Sequence, residues 1–362
     1  MALVPFSEKE FEQLGTHMKF TSSPFPAAPK YNTPITQAEN YLRALRRDGT
    51  ALWFPFATDC MNVESRTNID HIARAEIADM GPVQPLEEKG GPDLFGIVWD
   101  FVEVVGGSMV RPGNPALTDV NDWKKVIRFP DVDALDWEGC KINAVLNGGD
   151  KLVGITFQNG MFERLISFME FEYAALALID EDQQDAIHEL FDALADMYIR
   201  MIDKYREILD VKQVFFHDDW GSQRAPFFSP AVCREMIVPH IKKIADHCHA
   251  NGILFNHHCC GKNELLIEAM IEQGDDIWQP QVMNDVDTLV KEYGDRIMLG
   301  VTPPEMPEDA TDEELSAAAK AFVAKYAPDF REHPVLISGF RMPQRYLDAL
   351  YRESRIALCG KE

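Results

Sequence analysis

Short apolar runs alternate with segments of helical periodicity through the second half of the chain. Apolar runs typical of buried strands occupy residues 214–216, 253–256, 276–279, 297–301 and 335–338. Helical patterns occupy residues 230–249, 263–272, 286–293, 311–326 and 343–356. Because each strand pattern is followed by a helix pattern, this half of the chain predicts successive βαβ units and a parallel sheet.

The first half follows the same alternation less regularly. Apolar runs at residues 51–56, 95–101 and 152–157 predict three more strands, and a long helical region follows at residues 161–209. The sum is about eight strands, most of them followed by a helix, which predicts an α/β fold of the (β/α)8 TIM barrel type. An open, doubly wound sheet is the alternative. It is weakened because no G-x-G-x-x-G follows the first strand and no G-x-x-x-x-G-K-[ST] occurs in the chain.

The N-terminal stretch departs from this alternation. Prolines recur at positions 5, 24, 26, 29 and 34, and little periodicity is sustained there. We therefore expect an irregular N-terminal arm or cap at residues 1–40, packed on a barrel catalytic domain at residues 41–362. A chain of 362 residues, of which 46% are hydrophobic, is long enough for one large or two ordinary domains.

Charge and cysteine usage narrow the class of protein. The chain has 35 Lys and Arg against 59 Asp and Glu, a formal net charge of -24, which disfavours nucleic acid and anionic membranes as partners. No apolar run is long enough to cross a bilayer, and the N-terminus lacks the pattern of a signal peptide. The seven scattered cysteines are typical of reduced thiols. These features predict a cytoplasmic protein, for which a homodimer is one possible state.

The densest candidate chemistry follows the predicted strand at residues 253–256. A His-x-Cys pair at the end of a strand can place an imidazole nitrogen and a thiolate on one cation, and zinc is the most plausible one. Two such pairs overlap here, His257 with Cys259 and His258 with Cys260. The alternative is that buried thiols and a histidine merely finish the strand.

A second cluster, His217-Asp218-Asp219, follows the preceding predicted strand. In a barrel the carboxyl ends of neighbouring strands lie on one face, so this cluster is expected beside the His-x-Cys pairs. Adjacent side chains of an extended chain point to opposite sides, so only one of the two aspartates is expected to face the site. The other is a candidate cap of the next helix.

Other polar and aromatic residues follow the predicted strands and are expected on the same face. They are Asp59, Cys60, Trp99, Asp100, Gln158, Asn159, Gln279, Gln281, Thr302, Phe340 and Arg341. Trp99, Trp220, Trp278 and Phe340 could line an apolar pocket, or could be ordinary core residues.

Several segments resemble the uroporphyrinogen decarboxylase superfamily. The most specific are HDDWGSQ at residues 217–223, FFSP-x6-IVPHIKKI at residues 227–244, and the H-x-C-G element at residues 258–261. Residues 41–56, 93–101 and 162–179 are similar to other segments of that superfamily, in the same order. The H-x-C-G element is similar to the corrinoid-dependent methyltransferase branch, of the O-demethylase methyltransferase I type.

The resemblance implies a (β/α)8 barrel and a methyltransferase. Such an enzyme moves a methyl group from a small methylated donor, here a methoxylated aromatic ether, to the cobalt of a corrinoid carried by a partner protein. His258 and Cys260 match the zinc-binding element, and His217 and Asp219 are candidate catalytic acids for the departing oxygen. Trp99, Asn159, Trp220, Gln279 and Phe340 are candidate substrate-binding residues.

Two departures from the superfamily pattern qualify this expectation. The decarboxylases carry an arginine at the end of the first strand that grips the porphyrinogen carboxylates, but residues 53–60 here contain none. This disfavours the alternative function, a decarboxylase-like lyase acting on a tetrapyrrole. Phe340 stands where the zinc methyltransferases carry a further cysteine. A harder ligand, Asp219, His217 or Glu305, is expected to replace it, unless the metal is weak or absent.

Overall fold

The computed structural model describes residues 4–19, 26–79, 83–104, 106–140, 149–339 and 342–362. Its strands are β1 (Gln13–Thr16), β2 (Pro29–Tyr31), β3 (Cys60–Val63), β4 (Gly91–Pro92), β5 (Val98–Val102), β6 (Gly107–Val110), β7 (Leu152–Phe157), β8 (Val211–His217), β9 (Leu254–Cys259), β10 (Ile277–Pro280), β11 (Met298–Val301) and β12 (Val335–Ile337). Its helices are α1 (Gln37–Arg46), α2 (Ile69–Ala73), α3 (Trp123–Val126), α4 (Trp137–Cys140), α5 (Met161–Ala177), α6 (Gln184–Ile208), α7 (Pro230–Val232), α8 (Val238–Ala250), α9 (Ile267–Gln273), α10 (Val286–Tyr293), α11 (Asp312–Tyr326) and α12 (Gln344–Cys359). A π-helical segment, Cys233–Ile237, joins α7 to α8.

A parallel sheet of seven strands forms the centre of the described structure, in the order β12-β11-β10-β9-β8-β7-β3. Five of its strands, β8 to β12, cover the apolar runs predicted in the second half of the chain, and helices lie between them as expected. Every residue of β7 and of β11 is buried, as in a sheet that is covered on both faces.

The sheet is curled so that its two edges approach each other. Phe56 forms a parallel bridge with Ile337 of β12, and the amide of Ile337 donates to the carbonyl of Pro55 at 2.8 Å. Cys60, four residues after Phe56, pairs with Leu152 at the other edge. A flat sheet of seven strands would separate its edges by about 29 Å, whereas four residues span at most about 14 Å. The fold is therefore barrel-like, although the described sheet has seven strands instead of the predicted eight.

The helix α6 covers the sheet through an apolar stripe that its sequence predicted. Leu190, Leu194, Met197, Tyr198 and Met201 recur at helical spacing, and each is at most 4% exposed. This helix also packs against α8. In the described parts of the chain, none of the helices has the length and apolar character needed to cross a bilayer.

The predicted strand at residues 51–56 is wrong in its position. Only its last residue forms a bridge, and the strand that enters the sheet, β3, begins at Cys60. Pro55 has no amide hydrogen, and the amide of Phe56 donates to the Asp59 carboxylate at 2.9 Å, so a regular ladder is interrupted. Asp59 and Cys60 consequently lie at the start of their strand and not at its carboxyl end.

The predicted strand at residues 95–101 is also misplaced. Its residues contribute to β5, which pairs antiparallel with β4 and β6 in a separate three-stranded sheet. The Asp93 carboxylate accepts hydrogen bonds from the amides of Phe95 and Ile97, at 2.9 Å each, and so folds this stretch into a turn before the strand. Trp99 therefore belongs to the small sheet and not to the barrel.

The N-terminal residues pack on the C-terminal helix. β1 and β2 form an antiparallel pair. The Glu10 carboxylate forms an ion pair with the buried guanidinium of Arg355 of α12, at 2.7 Å. The helix α1 crosses the predicted boundary between residues 40 and 41. The division into an arm and a barrel domain therefore stays a prediction. All seven cysteines are free in the structure.

A buried ion-pair network joins the small sheet to the barrel. Arg164 of α5 is fully buried and pairs with Asp70 of α2 and, at 2.6 Å, with Asp93. Asp93 also accepts the indole hydrogen of Trp99 at 3.0 Å, and the Arg164 guanidinium lies over the ring of Phe95. This network therefore holds together segments that are far apart in the sequence.

Replacing Arg164 by leucine should strongly destabilise the protein. The substitution leaves the Asp70 and Asp93 carboxylates buried without their cation, which costs roughly 3–5 kcal/mol of unfolding free energy. Arg200→Met is the control, because its pair with Asp133 is more than half exposed, and should cost less than about 1 kcal/mol. Denaturant unfolding measures both variants, and equal losses would contradict the structural role of the network.

Candidate metal centre and active site

Four potential metal ligands converge at the carboxyl ends of β8 and β9. They are His217, Asp219, His258 and Cys260, and one ligand atom from each lies within 4.8 Å of the others. In the register of the sheet His217 is paired with His258, and their rings stack nearly parallel with centroids 5.1 Å apart. We call these four residues the tetrad.

The two-residue spacing within each strand end explains how the tetrad forms. Side chains two residues apart lie on the same side of an extended chain, so His258 and Cys260 face the same way. The side chains of His257 and Cys259, which alternate with these two, face the interior. His257 is fully buried with its Nδ1 2.9 Å from Asp275, and the Cys259 thiol accepts from Asn263. Of the two overlapping His-x-Cys pairs, only His258 with Cys260 is therefore in the site.

The tetrad is already ordered by short contacts. The Nε2 atom of His217 lies 3.2 Å from Oδ1 of Asp219, and Nε2 of His258 lies 3.4 Å from the Cys260 sulfur. The Cys260 amide donates to Asp219 at 2.7 Å, and the side-chain amide of Gln281 donates to the Cys260 sulfur at 3.3 Å. Two strand ends and the loop after β10 thus fix the donor atoms.

This donor set fits zinc. Tetrahedral zinc with bonds of about 2.0–2.3 Å places its ligand atoms about 3.3–3.8 Å apart, close to the separations of 3.2 Å and 3.4 Å within the tetrad. Two imidazoles, one carboxylate and one thiolate are all ligands that zinc accepts. Glu305, the other candidate for a hard ligand, is exposed and is not part of this group.

The protonation of the tetrad reflects burial and neighbouring charge. Burial opposes the charge on His217, but the carboxylates of Glu163 and Asp219 outweigh it and hold its pKa well above the usual value. For Asp219, burial opposes ionisation, yet the hydrogen bond and charge of His217 hold its pKa below the usual value. Burial lowers the pKa of His258 to about 4 and raises that of the Cys260 thiol.

Asp218 and Asp219 divide their roles, with one aspartate facing the site as expected and the other capping a different helix from the expected one. Asp218 is fully buried, and its carboxylate accepts the amides of Phe162 and Glu163 at the start of α5, at 3.1 Å and 2.8 Å. It also accepts the indole hydrogen of Trp220. Asp218 therefore caps α5 and not the helix that follows it in the chain, whereas Asp219 faces the site.

The predicted substrate-binding residues do not all gather at the tetrad. Gln279 pairs with His258 in the sheet register and is partly exposed, so it lies beside the tetrad as expected. Asn159 follows β7 and is buried, and its side-chain amide oxygen accepts from Arg74 at 2.9 Å. Trp99 is 4% exposed and lies in the small sheet, under the guanidinium of Arg74.

Trp220 requires a correction. It is fully buried, donates to Asp218 and packs edge-on against His257, so it is a core residue and not part of an open pocket. Trp278 is fully buried as well. Their apolar surroundings would have to be exposed before either ring could touch a substrate. Phe340 lies outside the described residues.

A hydrogen-bonded group of polar residues next to the tetrad was partly missed by the sequence reasoning. The Gln158 side-chain amide donates to Glu76 at 2.6 Å and to Glu64 at 3.2 Å, while its backbone carbonyl lies 3.0 Å from Nδ1 of His217. Glu64 follows β3, so its position after a strand could have indicated it. Burial, with repulsion from Glu76, raises the pKa of Glu64 to about 8.

Glu163 and Arg74 were missed altogether. Oε2 of Glu163 lies 2.9 Å from Nδ1 of His217, and its Oε1 accepts from Arg74 at 3.0 Å. Glu163 belongs to the first turn of α5 and Arg74 follows α2, so neither stands directly after a strand. A helix that begins at the mouth of a barrel can also supply site residues, and that was the available signal.

These features define the class of the protein: a barrel-like α/β protein with a candidate metal site at the carboxyl ends of its strands. The family model described as Uroporphyrinogen decarboxylase (URO-D) matches residues 144–344, more than half of the chain. The chain therefore belongs to the uroporphyrinogen decarboxylase family, which confirms the superfamily expected from its motifs. No curated protein sequence matches the chain.

Solved structures support the fold. A methyltransferase from Methanosarcina mazei is similar with a TM-score of 0.54 and 16% identity, over 87% of this chain and 97% of that chain. The spore cortex-lytic enzyme SleL of Bacillus megaterium has a TM-score of 0.33 and 9% identity, over 66% of this chain and 65% of its own. The TM-score of the second structure is too low to support an argument. The first structure supports the fold alone, because its sequence identity is low.

Replacing Glu64 by glutamine should make stability less dependent on pH. The pKa of Glu64 is raised to about 8 in the folded protein from 4.5, so its ionisation opposes folding as the pH rises through this range. Glu64→Gln should therefore gain on the order of 4 kcal/mol relative to the wild type at pH 8 and little at pH 4.

Thermal unfolding of the wild type, Glu64→Gln and Glu235→Gln across this pH range measures the effect. Glu235 is exposed, so its variant controls for the loss of one negative charge. A constant difference between Glu64→Gln and the wild type at every pH would show that Glu64 ionises normally.

Proposed function

We propose that the protein is a methyltransferase of the corrinoid-dependent, O-demethylase methyltransferase I type. It would move a methyl group from a small methoxylated aromatic donor to the cobalt of a corrinoid held by a carrier protein. The observation that carries this proposal is the tetrad, which gathers two imidazoles, one carboxylate and one thiol at the barrel mouth of a member of this family. The methyltransferase from Methanosarcina mazei, with the same fold, supports it.

The reaction sets a clear electrostatic requirement. The bond between the methyl carbon and the ether oxygen breaks while a cobalt–carbon bond forms, and the aryloxide that departs must receive positive charge or a proton. Zinc held by the tetrad would supply Lewis-acidic charge there, which requires a position for the ether oxygen, either by release of one of the four protein ligands or by acceptance of a fifth. The ligand atoms would be Nε2 of His217 and His258, a carboxylate oxygen of Asp219 and the sulfur of Cys260.

The composition of the tetrad favours an oxygen-bound methyl donor. It contains a single thiol, and its other anionic donor is the harder carboxylate of Asp219. Fewer anionic sulfurs leave more positive charge on the metal, which suits the activation of an ether oxygen better than the holding of a thiolate. The His217 and Asp219 side chains, predicted as acids, are in this proposal ligands.

The remaining residues of the site would orient the reactants. Gln281 donates to the Cys260 sulfur and so steadies the thiolate. Gln279 lies beside His258 with part of its surface exposed, and is the best placed of the predicted substrate-binding residues. A corrinoid carrier protein, a cytoplasmic location and a homodimer remain predictions.

Removing one tetrad ligand should abolish zinc binding and methyl transfer together. Cys260→Ala and His258→Ala should each lower zinc affinity by at least about 100-fold, because a four-ligand site loses one of its bonds. Cys259→Ala, one residue away but facing the core, should keep both properties. Zinc content is measured on purified protein, and methyl transfer is followed by the absorbance change of a cobalt(I) corrinoid with methoxyaromatic donors.

The outcome that defeats this proposal is equally specific. An active wild-type enzyme that contains no zinc would exclude the tetrad as the activating centre. If the protein binds zinc but transfers methyl groups only to a thiol, the proposed metal site is supported and the proposed corrinoid acceptor is wrong. Release of carbon dioxide from a porphyrinogen would favour the lyase alternative.

A further inference from the structure

The pair formed by Glu163 and Arg74 lies directly behind His217. Their side chains are 11% and 12% exposed, and Arg74 donates from Nη1 to Oε1 of Glu163 at 3.0 Å. The second carboxylate oxygen, Oε2, lies 2.9 Å from Nδ1 of His217 and has no hydrogen-bond partner among the described residues, so it acts on the imidazole through its charge. One oxygen is thus held by the arginine, and the other is directed at the imidazole.

Both members of the pair are fixed from independent directions. The backbone amide of Glu163 donates to Asp218 at 2.8 Å, so the first turn of α5 is tied to the residue that follows His217. Gly160 permits this close approach, since a Cβ there would lie 2.3 Å from the Cβ of Asp218. Arg74 is fixed by Asn159, at 2.9 Å, and by the ring of Trp99, 4.9 Å away.

The geometry of His217 shows what this pair can do. Its Nδ1 lies between the Gln158 carbonyl, at 3.0 Å, and Oε2 of Glu163, while its Nε2 faces the tetrad. A hydrogen on Nδ1 therefore donates to the Gln158 carbonyl and is favoured by the charge of the Glu163 carboxylate, so the nitrogen that would bind a metal is Nε2. A carboxylate behind a ligating histidine fixes the ring and increases the electron density on the ligating nitrogen.

We propose that Glu163, oriented by Arg74, is a positioning residue that holds His217 in its metal-binding tautomer and so sets the metal affinity of the tetrad. This proposal rests on the metal centre proposed above. It explains why a nearly buried ion pair stands at this place, where apolar packing would otherwise be at least as stable. It also assigns a role to Asn159 and Trp99, which support Arg74 and need not touch the substrate.

Glu163→Gln tests the proposal with little change of shape. The amide keeps the size of the side chain but loses the negative charge. The affinity of the protein for zinc should therefore fall by about 10- to 100-fold. Glu172→Gln is the matched control, because Glu172 is on the same helix and exposed, and it should bind zinc as the wild type does. Affinity is measured by competition with a chelator, and the absorption spectrum of the cobalt(II)-substituted protein reports the ligand field.

A double-mutant cycle separates positioning from a general structural effect. If Glu163 acts through His217, then Glu163→Gln should change the affinity little once His217 is replaced by alanine. Arg74→Met should reproduce part of the loss, because it frees the carboxylate from its second partner. Thermal unfolding of the metal-free variants measures folding separately, since a merely structural pair would lower stability without a selective change in zinc affinity or in the cobalt spectrum.

The possible failures can be told apart. If wild type and Glu163→Gln bind zinc equally, the positioning role is overturned while the tetrad stands. If the losses of Glu163→Gln and His217→Ala are additive, Glu163 does not act through His217, which also overturns the proposal. If the wild type binds neither zinc nor cobalt(II), the metal centre itself fails and the positioning role with it. A protein that binds zinc as expected but transfers no methyl group contradicts only the proposed reaction.

Discussion

The in-register pairing of β8 with β9 is the constraint on which the candidate site depends. It places His217 beside His258, and the two-residue period of both strand ends then turns Asp219 and Cys260 toward the same space. A slip of one residue in either strand would exchange site-facing and core-facing side chains. The register is well specified, because His257 is buried against Asp275 on the opposite side.

A second set of contacts transmits this register to the surrounding elements. Asp218, adjacent to a tetrad member, caps α5 through two backbone amides and thereby brings Glu163 to the back of His217. Arg74 extends the connection to Trp99 of the small sheet. Two neighbouring aspartates thus serve different purposes, since one orders the scaffold and the other supplies a donor atom.

The sequence was sufficient for the parts of the structure that depend on periodicity. The alternation of strand patterns with helix patterns predicted the parallel sheet. The positions of His217, Asp219, His258 and Cys260 after neighbouring strands predicted that their side chains lie close together. The sequence was not sufficient where side chains redirect the backbone, as Asp93 does before the strand that contains Trp99. Glu163 and Arg74 lie 89 positions apart, and no local pattern indicates such a pairing.

The charges at the barrel mouth explain why a divalent cation suits this place. The carboxylates of Glu163 and Asp219 attract positive charge and hold the pKa of His217 well above its usual value, although burial opposes that charge. A metal at Nε2 would supply that charge instead, and would also favour the thiolate of Cys260, whose pKa burial otherwise raises. The same buried carboxylates that make the site costly without a cation therefore make it selective for one.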